Sequence, residues 1–144
     1  MSEIDEITRL IPHRPPFLWV DRIISCSSET IETEKHFPTD HEVFKGHYPG
    51  NPITPGVLLC EAIFQSGALL MATMASQQKS SEIPVLTRIH AAKFKRSVLP
   101  GDTVSITVKI KEVISNVSIL KGTLKVGGKT AVQIEFSCAM TPAM

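Results

Sequence analysis

The chain lacks any real excess of charge: 15 Lys and Arg stand against 14 Asp and Glu, a formal net charge of +1. Phosphate-rich partners draw on a strong basic surplus, so nucleic acid is excluded as the main partner. Cysteine is scarce. Cys26, Cys60 and Cys138 are odd in number and widely spaced, with no C-x-x-C pair. That spacing suggests neither a zinc site nor a disulfide framework, and leaves buried or half-buried free thiols in a reducing cytoplasm. Repeats, low-complexity tracts and a phosphate-loop motif are all missing. The opening MSEIDEITRLIPHR has acids early and no apolar h-region, unlike a secretory signal. A single apolar run, 56–75, is nearly long enough to cross a bilayer, but it contains Glu61 and Gln65, so no membrane span is expected.

What is present is an ordinary globular composition: 144 residues, 42% hydrophobic and 20% charged, sized for one domain over 1–144. The spacing predicts a short helix over 4–10, capped by Ser2. Pro12, Pro15 and Pro16 then force an extended path. Strands are expected over 17–26 and 27–37, followed by a long loop over 40–54. A helix over 55–76 follows, with Thr54 as its cap and Pro55 at its first position. It is apolar on nearly every side, the mark of a helix wrapped by the rest of the fold. Four more strands, 85–98, 102–114, 118–126 and 129–140, read as a meander punctuated by Pro100-Gly101, Ser115-Asn116 and Gly127-Gly128. Runs of strands joined by short turns make the fold α+β, with one sheet curled around one hydrophobic helix.

Against that background three residues stand out. Glu61 puts a carboxylate on the apolar helix, where an ionised, unpaired acid is costly. One reading has it held by Gln65, one turn on; the other gives it acid–base chemistry. His47 precedes the helix in a loop stiffened by Pro49, Pro52 and Pro55. Gly56, near the helix start, has an N–H without an intrahelical partner, and no side chain to keep a substrate oxygen away. A base, an acid and an oxyanion donor suit proton abstraction beside a carbonyl with loss of a β-substituent.

The stretch GHYPGNPITPGVLLCEAIFQ, together with IPHRPPFLWVDRI and AAKFKRSVLPGDTV, resembles the β-hydroxyacyl-[acyl-carrier-protein] dehydratases over nearly the whole chain. The resemblance implies the hot-dog fold, an antiparallel sheet of about six strands wrapped around a long central helix. It implies a homodimer, often built into a hexamer as a trimer of dimers, with the histidine and the acid of each site supplied by different chains. Carried over, His47 removes the α-proton, Glu61 helps the β-hydroxyl leave, and Gly56 N–H holds the thioester oxygen. The product is a trans-2-enoyl thioester, and no metal or redox cofactor is required. Glutamate rather than aspartate on the helix favours dehydration without isomerisation. The partner implied is an acyl carrier protein, acidic in this family, which a basic cluster of Lys93, Lys95 and Arg96 would steer. Gln65 is a supporting residue on this view, and His13, His36 and His41 read as surface histidines, with His13 the better candidate of the three for a place near the site because its flanking motif resembles the family's. Thr54, Tyr48 and His90 depart from the family's commoner residues. Two other readings stay open: a hot-dog acyl thioesterase, and an acyl-binding partner subunit without turnover.

Overall fold

A computed structural model describes residues 2–79 and 81–142. The chain opens with α1, Glu3–Leu10, fixed by a capping box: Asp5 N–H donates to Ser2 Oγ, and Ser2 N–H to Asp5 Oδ2. The strands are β1 (Arg22–Cys26), β2 (Thr30–His36), β3 (Glu82–Phe94), β4 (Thr103–Ile114), β5 (Val117–Val126) and β6 (Lys129–Pro142). Between β2 and β3 come a short α2, Val43–Gly46, and the long α3, Gly56–Gln77. All strands pair antiparallel in one sheet of order β1-β2-β4-β5-β6-β3. The sheet wraps α3, as the hot-dog fold requires.

Four details correct the sequence reading. The strand expected over 17–26 is assigned only from Arg22, with Asp21 N–H also bonded to the Glu34 carbonyl, because the backbone further back has another partner: Trp19 N–H and the Phe17 carbonyl both bond to the Gln65 side chain. The last four strands do not form one meander. β4, β5 and β6 do, but β3 lies on the far side of β6, so α3 is followed by a crossover to the sheet edge. Alternation along a strand shows which face is covered, not which strand is its neighbour. The loop over 40–54 holds α2, with Phe44 buried beneath it. Finally, Thr54 does not cap α3. Pro55 occupies that position without a side-chain bond, and Thr54 is buried with its Oγ1 unpaired.

α3 is long and apolar enough to cross a membrane by length and composition, yet most of it is enclosed by the sheet. Leu59, Ile63, Leu69 and Leu70 pack in one core with Ile106, Leu120, Leu124 and Phe136. Each such side chain contributes about 1.5–3 kcal/mol when fully buried. Helix and sheet approach closely at Gly122 of β5, where an added Cβ would collide with the Cγ2 of Ile63. Gly122→Ala is therefore expected to destabilise the fold by about 1–3 kcal/mol through overpacking. A denaturant midpoint equal to the parent's would contradict that close approach.

The cysteines are free. Cys60 and Cys138 are buried, and burial pushes the Cys138 thiol up to about 11; Cys26 is exposed, against the expectation of a covered thiol. His41, read as a surface histidine, is half-buried: its ring packs between Trp19, at 5.3 Å, and Phe44, at 6.3 Å.

Candidate active site

The loop between α2 and α3 holds His47 by its ring. His47 caps the C-terminus of α2, its N–H donating to the Val43 carbonyl. Its Nδ1 lies 2.7 Å from the Ile53 carbonyl oxygen. A carbonyl only accepts, so Nδ1 carries the proton and Nε2 of the neutral ring keeps its lone pair. Tyr48 follows with φ of 61°, a left-handed conformation that is strained for an aromatic residue, and its ring packs 4.6 Å from the imidazole.

Gly56 begins α3. The helix has no side-chain N-cap, and none of the loop or capping bonds among the described residues uses the Gly56 N–H. That amide sits at the positive end of a 22-residue helix. A Cβ on Gly56 would come within 2.9 Å of the Phe94 ring, so the space a side chain would need is taken by the end of β3.

Glu61 is one and a half turns further along α3 and half-buried. Its Oε2 accepts from Gln65 Nε2 at 2.9 Å and faces His13 Nε2 at 3.8 Å. Gln65 is 1% exposed and fully committed: Nε2 also donates to the Phe17 carbonyl at 3.0 Å, while Oε1 accepts from Trp19 N–H at 2.8 Å. The N-terminal segment thus clamps Gln65, and Gln65 orients the acid. Replacing Gln65 with Leu would strand Trp19 N–H and the Phe17 carbonyl together. Each such loss costs about 1–3 kcal/mol when the group stays buried. We expect Gln65→Leu to melt clearly earlier than the parent in a thermal scan, and an unchanged melt would mean the clamp is not formed.

Sequence reasoning picked out Gln65 and read His13 first as a surface histidine, which instead faces Glu61, and it missed the clamp itself. No side-chain pattern announced it, because its partners are the backbone N–H of Trp19 and the backbone carbonyl of Phe17. His47 and Glu61 are not joined within one chain: their partners are Ile53 and Tyr48 in one case, Gln65 and His13 in the other. Beside His13 a cavity of about 510 Å³ opens along α3, lined by Ile11, Ala68, Ala72, Ile83 and Pro84 among others. Its size is that of a small-molecule site. Lys93, Lys95 and Arg96 are all exposed. Lys93 lines a shallow hollow on the outer sheet face with Lys121 and Gln133, whereas Lys95 and Arg96 follow Phe94, the neighbour of Gly56.

The sequence matches the model of the FabA-like domain family over residues 11–135. It is 34% identical to the 3-hydroxyacyl-[acyl-carrier-protein] dehydratase FabZ of Xanthomonas euvesicatoria pv. vesicatoria strain 85-10, over 95% of this chain and 91% of that one. The FabZ of Xanthomonas oryzae pv. oryzae strain PXO99A is 33% identical over the same shares. Among solved structures, the dehydratase heterocomplex ApeI:P from Xenorhabdus doucetiae superposes with a TM-score of 0.79 at 14% identity, covering 94% of this chain and 90% of that one. A hypothetical thioesterase from Streptococcus pneumoniae TIGR4, solved with coenzyme A, gives 0.67 at 11% identity, covering 84% and 85%. At those identities the likeness is one of fold.

Proposed function

The chain belongs to the FabA-like domain family, and on that premise we propose that it dehydrates (3R)-3-hydroxyacyl thioesters on acyl carrier protein to trans-2-enoyl thioesters in fatty acid or related acyl-chain biosynthesis. One observation carries this reading to the residues. β3 is an edge strand, exposed along nearly its whole length, with Val85, Leu86, Ile89 and Phe94 all uncovered. A long apolar edge invites a second strand. A second copy is the natural occupant, because a two-fold contact is self-complementary. Antiparallel pairing about the middle of β3 sets Phe94, and with it Gly56 and the loop that runs from His47 into α3, beside the Glu82 end of the second copy's β3. That end of β3 borders the cavity lined by His13, whose Nε2 faces Glu61 at 3.8 Å. Two half-sites at opposite ends of one edge strand become two complete sites in a homodimer, which a hexamer would repeat.

In such a site the thioester oxygen accepts from Gly56 N–H, and the start of α3 stabilises the enolate charge that develops there. His47 Nε2 takes the α-proton. The electron pair of the broken C–H bond forms the new C=C bond, and the β-hydroxyl departs as water with a proton from Glu61. The acyl chain lies in the cavity along α3. Lys95 and Arg96, beside the Phe94 end, receive the acidic carrier. The same reading gives the chain a cytoplasmic location.

Incubation with 3-hydroxyacyl-carrier thioesters, followed by mass, tests this directly. A product lighter by one water, still thioester-linked, is the expected result. Free thiol with no enoyl product would assign the chain to thioester hydrolysis instead.

A further inference from the structure

Among the described residues, three that are not glycine have positive φ: Tyr48, Lys79 and Ser115. Lys79 lies just beyond α3, and Ser115 sits in the two-residue turn between β4 and β5. Both are turn residues with slender side chains. Tyr48 is bulky, it is the first residue beyond the cap of α2, and it precedes Pro49. Glycine or asparagine is usual just past a helix cap, because a Cβ is strained in the left-handed region. Proline in turn favours extended backbone in the residue before it. Tyr48, with φ of 61°, meets neither preference. The turn it opens shows no such conflict. Asn51 N–H donates to the Tyr48 carbonyl at 2.9 Å, with Pro49 second and Gly50, at φ of 87°, third, as a type II turn asks. Nor does burial offset the strain, since Tyr48 is 61% exposed. What its ring does touch is the imidazole of His47, at 4.6 Å between centroids and 54° between planes.

We propose that Tyr48 is a positioning residue, held in a strained backbone so that its ring fixes the plane of the His47 imidazole. The inference rests on the dehydratase reading, in which His47 Nε2 takes the α-proton. The bond from Nδ1 to the Ile53 carbonyl anchors one atom of the imidazole and leaves its plane free to pivot about that contact. A pivot carries the Nε2 lone pair out of line with the proton it takes. A second ring packed against the imidazole removes that freedom. The gain is large, because a misplacement of about 1 Å costs on the order of a hundredfold in rate. Strained residues persist where the structure around them holds them, and they cluster at active sites for this reason. The contact is made by the aromatic ring, so the hydroxyl is not needed for it.

The test compares steady-state kinetics on a 3-hydroxyacyl-carrier thioester, and thermal melts, for the full-length parent, Tyr48→Asn and Tyr48→Phe. Asparagine accepts the left-handed backbone but brings no aromatic ring. Tyr48→Asn is expected to lower kcat about tenfold or more, with KM within about twofold and a melt no earlier than the parent's. Tyr48→Phe keeps the ring and is expected to hold kcat within about twofold. Parent-like kcat in Tyr48→Asn overturns the proposal. So does a rise in KM at unchanged kcat, which would make Tyr48 a substrate contact, and so does an equal loss in Tyr48→Phe, which would move the role to the hydroxyl. A clearly earlier melt in Tyr48→Asn also overturns it, because the ring would then be packing that holds the fold. A parent chain that forms no enoyl product refutes the dehydratase reading instead. The positioning is then read from side-chain nitrogen NMR of the histidines at a pH where the rings are neutral, with His47→Ala identifying the His47 signals. The parent and Tyr48→Phe are expected to show one tautomer, protonated at Nδ1, and Tyr48→Asn a mixture of the two tautomers. Identical His47 spectra in the parent and Tyr48→Asn overturn the proposal.

Discussion

His47→Ala is expected to lower kcat on a 3-hydroxyacyl thioester by about 10²–10⁴, the usual contribution of a general base. The expectation rests on the ring's fixed protonation pattern. With Nδ1–H tied to the Ile53 carbonyl at 2.7 Å, the lone pair on Nε2 is the one free to take a proton. The loop holds that geometry through the α2 cap, the left-handed Tyr48 and the backbone bond from Thr54 N–H to the Val98 carbonyl. None of these needs the imidazole ring, so the variant should fold and bind substrate nearly as the parent does. The loss then appears in kcat with KM little changed, the pattern of an interaction made only in the transition state. Turnover near the parent's would remove His47 from the mechanism.

That assignment was open to sequence reasoning because the loop is punctuated so heavily. Proline fixes the path, glycine permits the turns, and a histidine lodged among them has little freedom. α3 was equally plain: its expected span, 55–76, differs from the observed Gly56–Gln77 by one residue at each end. What local pattern could not supply was long-range pairing. The alternation in β4 identifies the face that meets α3, but nothing in β3 announces that it lies beyond β6. A strand exposed on both faces has no internal period to read, and β3 is such a strand within one chain. The same limit hid the clamp on Gln65. Its partners, Phe17 and Trp19, are more than forty residues away in sequence, and they offer backbone atoms, which carry no side-chain signature. Thr54 shows the opposite failure. A residue type suited to capping was present at the right place, yet the tie from Thr54 N–H to the Val98 carbonyl and the burial of its side chain left the cap unmade. The consequence is structural: α3 begins without a side-chain cap.

Glu61→Gln should cost a similar factor, about a hundredfold or more in kcat, for a different reason. The amide is nearly isosteric and keeps an oxygen that can still accept from Gln65 Nε2, so the clamp survives. What it cannot do is give a proton to the departing hydroxyl. Near-normal turnover in Glu61→Gln would leave the acid's role empty. The two variants together decide the assembly as well. In a dimer that joins His47 of one chain to Glu61 of the other, an inactive His47→Ala chain paired with an inactive Glu61→Gln chain contains one intact site and one doubly damaged site. Random exchange between equal amounts of the two makes half the dimers mixed, so about a quarter of the parent activity should return. If each chain instead works with its own histidine and glutamate, mixing restores nothing, because no chain in the mixture holds both. Recovery therefore ties the exposed edge of β3 to the chemistry, since that edge is the surface through which the two half-sites would meet.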